Sequence, residues 1–221
     1  AINSIILSAR EERKSYNQVK KEYEASGYEP VSADISPIVI EGENAKYFSK
    51  STLRPLADRS SPAVSPYDTL KKRLNTVGGS GWNEAAQWIE WDFSVEKAGL
   101  YEVALHAKQD YKSGFSSSRR ILIDGKSPFT EADYIEIKYG LNWQNITLSN
   151  ENEPCLLYLS EGRHTLRLEV SVTEEMSGIT SDCLGLQNDL IDLYRQIIMV
   201  TGTIPDSLRD YNLFATITNC E

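Results

Sequence analysis

The sequence predicts a mainly β protein, an antiparallel sandwich with one helix before it and one after it. Two observations carry this. Between about residues 86 and 170, short alternating segments are separated by Gly- and Asp-containing turns, with no helical stretch between them. On either side of that region, apolar residues recur at the 3,4 spacing of a helix stripe. Length and composition agree: 221 residues, 40% hydrophobic and 25% charged, describe a soluble chain able to bury a core without disulfides.

The elements follow in order. Ile2, Ile5, Ala9, Tyr16, Val19 and Tyr23 line one face of a helix predicted over residues 2–26, interrupted only by Glu12, with Gly27 as its stop. Its other face is charged, so it needs a partner surface. Ile38-Val39-Ile40-Glu41 reads as a short strand. Residues 51–66, with three prolines and several serines, form a loop across a surface. Thr69–Leu74 reads as a short helix, and Val77-Gly78-Gly79-Ser80-Gly81 as a sharp turn.

The β region then opens. Trp88, Glu90 and Asp92 alternate with Ile89, Trp91 and Phe93, the second set facing inward. Further strands are expected at 100–107, at 120–126 running into Asp124-Gly125, at 144–148, at 155–159 and at 164–170. From about Ser181 to Val200, Leu186, Leu190, Leu193 and Ile197 sit beside Ile191, Tyr194 and Ile198, a broad apolar stripe ended by Gly202 and Pro205. The two helices are expected to pack on each other or on the sandwich. The predicted division is a helix at 1–30, a sandwich at 31–175, and a helix with a linker at 176–221.

Charge narrows the partners. Twenty-three basic against 32 acidic side chains give −9, which disfavours duplex nucleic acid and anionic membranes. No apolar run reaches the length of a membrane span. Cys155, Cys183 and Cys220 are widely spaced and odd in number, so free thiols are expected. The chain begins Ala-Ile-Asn and stops at Thr-Asn-Cys-Glu, and is read as a piece excised from a larger polypeptide.

Residues for catalysis are scarce. His106 and His164 lie in strand patterns and are expected as packed or edge histidines. No nucleophile elbow, zinc helix or phosphate loop is present. Glu41 and Glu43, two apart, point to one face; they fit solvated charges, half of a calcium site, or an acid/base pair.

Aromatics are the more suggestive feature, with four Trp and 12 Tyr. Trp82, Tyr111, Phe115, Tyr139 and Trp143 fall in or beside loops. Such rings, with Gln109, Asp110 and Arg119 nearby, suit a sugar, which needs an apolar stacking face and hydrogen bonds for its hydroxyls. The competing reading is that they plug the sandwich ends or bind the helices.

Several motifs resemble the calcium-containing, galactose-binding-like jelly-roll carbohydrate-binding modules. Ile40-Glu41-Gly42-Glu43-Asn44-Ala45 is similar to their Glu-Ala-Glu-x-Ala opening. Val77-Gly78-Gly79, Trp88-Ile89-Glu90-Trp91, Val95-Glu96-Lys97-Ala98-Gly99-Leu100-Tyr101, Ile123-Asp124-Gly125 and Glu161-Gly162-Arg163-His164-Thr165-Leu166 follow in the family's order, over about residues 38–171. The resemblance implies a jelly-roll carbohydrate-binding module, with calcium possible at Glu41 and Glu43; the contacts expected with a glycan or small sugar, from the loop aromatics and their polar neighbours, are Trp82, Gln109, Asp110, Tyr111, Arg119 and Trp143. Where those modules end in an Asp-containing strand, this chain turns helical after Val172.

The flanks resemble the amino-terminal region of secreted solute-binding lipoproteins of Gram-positive ABC transporters. Thr201-Gly202-Thr203-Ile204-Pro205-Asp206-Ser207-Leu208-Arg209-Asp210-Tyr211 carries that likeness. It implies an extracellular, surface-tethered parent with a downstream solute-binding domain and a permease partner. The expected function is a non-catalytic sugar-binding module. A structural or interaction domain without a sugar site is the alternative, and a glycoside-active enzyme is disfavoured for want of an acid/base pair.

Overall fold

In the computed structural model, residues 13–32, 34–151, 153–172 and 174–213 are described, with backbone alone at 174–182 and 184. The chain divides into two compact units between Val172 and Thr173. The first holds helix α1 (Tyr16–Ala25) and the strands. These are β1 (Tyr47–Phe48), β2 (Pro55–Leu56), β3 (Thr76–Val77), β4 (Trp88–Val95), β5 (Gly99–Glu102), β6 (Ala104–Ala107) and β7 (Ser117–Ile123). They continue as β8 (Ile135–Ile137), β9 (Gln144–Thr147), β10 (Ser149–Asn150), β11 (Glu153–Pro154), β12 (Leu156–Leu159) and β13 (Gly162–Val170).

One layer is an antiparallel sheet in the order β1-β4-β13-β7-β8. The alternation of β4 decides its faces. Ile89, Trp91 and Val95 are buried, while Trp88, Glu90 and Asp92 turn outward. On the outer face Arg167 pairs with Glu90 at 2.8 Å and lies 4.1 Å from the Trp88 ring centroid, so that ring is covered by a cation.

The opposing layer is built on residues 99–107, an antiparallel run interrupted at Val103. Ala104 pairs with Thr147, yet Glu102 pairs with Leu156. The chain 144–159 therefore runs alongside 99–107 but loops seven residues, 149–155, out of the pairing. That excursion is the β10–β11 hairpin, pinned by Leu148 N–H to Val103 C=O and Cys155 N–H to Leu148 C=O. Ile89, Ile121, Leu148, Cys155 and Leu157 form the fully buried centre between the layers. Each such aliphatic side chain contributes about 1.5–3 kcal/mol through burial.

Helix α1 docks on the sandwich, as one of the two expected arrangements requires: Tyr16 and Val19 belong to its core. The Tyr16 hydroxyl accepts the Leu156 N–H at 3.0 Å, and that of Tyr23 accepts the Tyr158 N–H at 3.5 Å. Two tyrosines thus occupy donors along the free edge of β12, which would otherwise invite another strand. Ser15 starts the helix, its N–H bonded to Gln18 Oε1 at 2.9 Å. Gly27, at φ 70°, ends it with Gly27 N–H to Glu24 C=O and Tyr28 N–H to Tyr23 C=O.

Three expectations are corrected. The first helix does not run unbroken from residue 2: Arg13–Ser15 are non-helical, because Ser15 takes the extended conformation of an N-cap, while residues 2–12 lie outside those described. Ile38-Val39-Ile40 pairs with no strand among the described residues, and Val39 is exposed. Thr69–Leu74 is not helical; Asp68 Oδ1 accepts the N–H groups of Leu70 and Lys71 and folds a turn instead. The second unit contains α2 (Glu174–Thr201), seven residues longer at its start than expected, and Gly202 at φ 76° closes it through its N–H to Ile198 C=O.

Candidate functional site

The two ends of the sandwich differ. At one, connections are short: residues 96–98 join β4 to β5, Asp124-Gly125 turns out of β7, and Ser160-Glu161 joins β12 to β13. Asp124 and Gly125 both have positive φ, 50° and 77°, as a tight right-twisting turn requires. At the other end β4, β7 and β9 begin and β6, β8 and β13 finish, and the connections 57–75, 78–87, 108–116 and 138–143 are long. All six residues expected to bind ligand, Trp82, Gln109, Asp110, Tyr111, Arg119 and Trp143, lie at this loop end.

The buried side chain of Gln109 organises the centre. Its Nε2 donates to the carbonyls of Lys112 (3.2 Å) and Phe115 (2.7 Å), and its Oε1 accepts from the N–H groups of Tyr111 (3.0 Å) and Lys112 (3.2 Å). Every hydrogen-bonding position of the amide that these bonds use is committed to its own loop. Gln109 is therefore a loop scaffold rather than the direct ligand contact expected. What it holds out are Tyr111 and Phe115, 66% and 65% exposed. The adjoining loop ties in by Gly140 N–H to Gln109 C=O.

Trp82 and Arg119 form a wall instead of an open platform. A Cβ on Gly78 would come within 2.6 Å of the Trp82 ring, so only glycine admits the ring there. The indole N–H donates to Gln87 C=O, and the guanidinium of Arg119 lies 4.2 Å from the ring centroid. Arg119 donates to the carbonyls of Ser118 (2.8 Å) and Trp82 (3.1 Å), while its Nε is buried with no partner among the described residues. No described carboxylate pairs with it, and burial pushes its pKa down to about 10.

Lys108, which sequence reasoning missed, joins three loops. Its ammonium contacts Asp58 at 2.8 Å, Asp110 at 3.0 Å and Ser60 Oγ at 3.3 Å, and lies 5.5 Å from the Trp143 ring centroid. Burial opposes the charge on Lys108, but hydrogen bonds and charge from Asp58 and Asp110 outweigh it and raise its pKa. Burial likewise raises the Asp58 pKa, and bonds from Lys108 and Ser60 reverse this, leaving it lowered. Trp143 stacks on His106, centroids 5.3 Å apart and planes at 13°, and the ring of His106 contacts Asn145 Oδ1 at 2.6 Å. The Trp143 indole N–H is buried with no partner among the described residues. The only sequence sign of this cluster is position: Lys108 directly follows β6, two residues after His106.

Glu41 and Glu43 flank and occupy the short turn Gly42–Asn44, held by the Trp91 indole N–H to Gly42 C=O at 3.0 Å. Glu43 Oε2 is buried with no partner among the described residues. Yet no group of three or more His, Cys, Asp or Glu comes together among the described residues. Two carboxylates supply only part of the six to eight oxygens of a calcium shell.

At the tight-turn end, Ser160, His164 and Asp124 stand in a row reminiscent of a hydrolase. His164 Nδ1 faces Asp124 Oδ2 at 2.7 Å, and Nε2 faces both the Ser160 carbonyl (2.9 Å) and Ser160 Oγ (3.3 Å). The nearer group at Nε2 is the Ser160 carbonyl, which can only accept, so that nitrogen is placed to donate to it and not to take a proton from the serine hydroxyl. The row is a clasp between two turns.

No family model matches this chain, and no curated protein matches it. Similar solved structures include a Paenibacillus sp. cycloisomaltooligosaccharide glucanotransferase complexed with cycloisomaltoheptaose, at 16% identity over 72% of this chain and 21% of that one, TM-score 0.44. A family 35 carbohydrate-binding module from Clostridium thermocellum is similar at 13% identity over 63% of this chain and 89% of that module, TM-score 0.45. A Podospora anserina β-(1,4)-mannanase carrying a family 35 module is similar at 13% identity over 60% of this chain and 24% of the enzyme, TM-score 0.41.

Proposed function

We propose that this chain is a non-catalytic glycan-binding module that takes a sugar at the loop end of the sandwich. The observation that supports it most is the pair of exposed rings, Tyr111 and Phe115, on a loop that Gln109 holds by four hydrogen bonds. Rings that are both exposed and held in place offer stacking faces at little ordering cost. Lys108, Asp58 and Asp110 supply charged donors and acceptors for hydroxyls beside them. An open platform buries little area, so weak binding is expected.

The parent protein, on this reading, is an extracellular, surface-tethered protein of sugar uptake or sensing, with a downstream solute-binding domain and a permease as partners. The run from Thr201 to Tyr211 is what supports that setting. Calorimetric titration against neutral mono- and oligosaccharides tests the binding. At least one sugar should bind, and Tyr111→Ala with Phe115→Ala should weaken it at least tenfold; no heat with any sugar overturns the proposal.

A second reading, an interaction domain without a sugar site, is favoured by the covering of Trp82 by Arg119 and of Trp143 by His106. Acrylamide quenching of single-tryptophan variants tests this reading at those rings: both should be shielded with and without sugar, and a ring open to the quencher that a sugar then protects overturns it.

A further inference from the structure

The second helix has a seam of its own. From Cys183, the residues Leu186, Leu190, Leu193, Ile197 and Val200 recur at spacings of 3, 4, 3, 4 and 3, and Ile179 and Met176 continue the series backward. This is the 3.5-residue repeat of a coiled coil, held for more than three heptads within a helix of 28 residues, about 42 Å long. Leu186 and Leu190 on that seam are 62% and 58% exposed, and Leu193, Ile197 and Val200 are half-buried.

The flanks say what lies opposite. One side of the seam carries Asp182 and Asp189; the other, Gln187 and Tyr194. In a parallel, in-register pair each flank faces the opposite flank of its partner, five residues on. Asp182 then meets Gln187 and Asp189 meets Tyr194, acceptors against neutral donors. In an antiparallel pair like flanks meet, and aspartate faces aspartate. Charge selects the parallel arrangement.

We propose that α2 is a dimerisation helix, pairing two copies of this chain in parallel along the seam from Met176 to Val200. The pairing is independent of the sugar reading. It places Cys183 opposite Cys183, since the two occupy the same seam position, and that thiol is free and exposed.

Sedimentation equilibrium of the full 221-residue chain, reduced and carrying Cys220→Ser, should give twice the monomer mass. Leu190→Asp should weaken association at least tenfold, while Asn188→Ala, on the far side of the helix, leaves it unchanged. Gln187→Lys should strengthen it several-fold by meeting Asp182, and Gln187→Glu should weaken it. Diamide, which takes up the two thiol hydrogens, should link the chains through Cys183, and Cys183→Ser should abolish the link. A monomer at tens of micromolar overturns the proposal, as does a dimer indifferent to Leu190→Asp, or one in which Gln187→Lys weakens and Cys183 does not link.

Discussion

The guanidinium of Arg119 sits over Trp82, 4.2 Å from its ring centroid, while donating to that residue's own carbonyl. A buried cation with no carboxylate partner among the described residues is held here by a ring face and two peptide carbonyls. Arginine alone suits this, since its planar fork reaches two acceptors while stacking. Arg119→Lys should therefore cost about 1–3 kcal/mol, the penalty for leaving a buried carbonyl unpaired. Urea unfolding followed by tryptophan fluorescence measures it, and an unchanged midpoint would refute the account.

The scaffold role of Gln109 predicts an effect at a distance. Gln109→Leu keeps the apolar stem but removes four hydrogen bonds that shape residues 109–115. The loss in stability should be modest, about 1–3 kcal/mol, because the loop lies outside the central core. Limited proteolysis should show new cleavage between Asp110 and Phe115, and any sugar affinity should fall as far as in Tyr111→Ala. Intact protease resistance in the variant would show that the loop does not depend on the amide.

How legible all this was depended on the range of the interactions. Ile89, Trp91, Leu166 and Leu168 were readable as core because a strand's two-residue period sorts faces locally. So was the Asp124-Gly125 turn, whose two positive φ values follow from short-range sterics. Val39 illustrates the opposite: β-branched residues favour a strand, but a strand needs a partner, and none among the described residues comes to 38–40. The seven-residue excursion before β12 was hidden because register across two segments is a tertiary fact. At the site, loop-borne rings could be named from sequence, but their exposure could not. Trp82 and Tyr111 look alike in sequence, and only Gly78 and Arg119 determine that the first is covered. Lys108 was missed because its carboxylates come from residues 50 and 2 positions away, and only the nearer was in view.

The Glu43 carboxylate gives a test for metal. With no third acidic, histidine or cysteine ligand beside Glu41 and Glu43 among the described residues, millimolar calcium should move the thermal midpoint by less than about 1 °C. A resident ion held a hundredfold below its free concentration would contribute about 2.7 kcal/mol, a shift of several degrees. A rise of that size, lost in Glu43→Gln, would mean that backbone carbonyls complete a site the side chains do not.

His164 makes stability fall with rising pH. Its burial lowers the pKa, but the hydrogen bond and charge of Asp124 and the Ser160 carbonyl outweigh this, and the folded value is raised above the ordinary 6.5. A base with a raised folded pKa binds protons more readily in the folded chain, so its contribution is complete below the unfolded pKa and lost as pH climbs through the folded one. Asp124 is half exposed, so solvent screening keeps the effect to roughly 1 kcal/mol. Urea midpoints should therefore be higher at pH 5.5 than at pH 8.5, and the step should vanish in His164→Gln, which keeps a donor but carries no charge. Asp124→Asn should remove the step as well, because the imidazolium then loses its counter-charge. A pH step that persists in both variants would place the titrating group elsewhere and leave the clasp between the two turns as a neutral hydrogen-bonded contact.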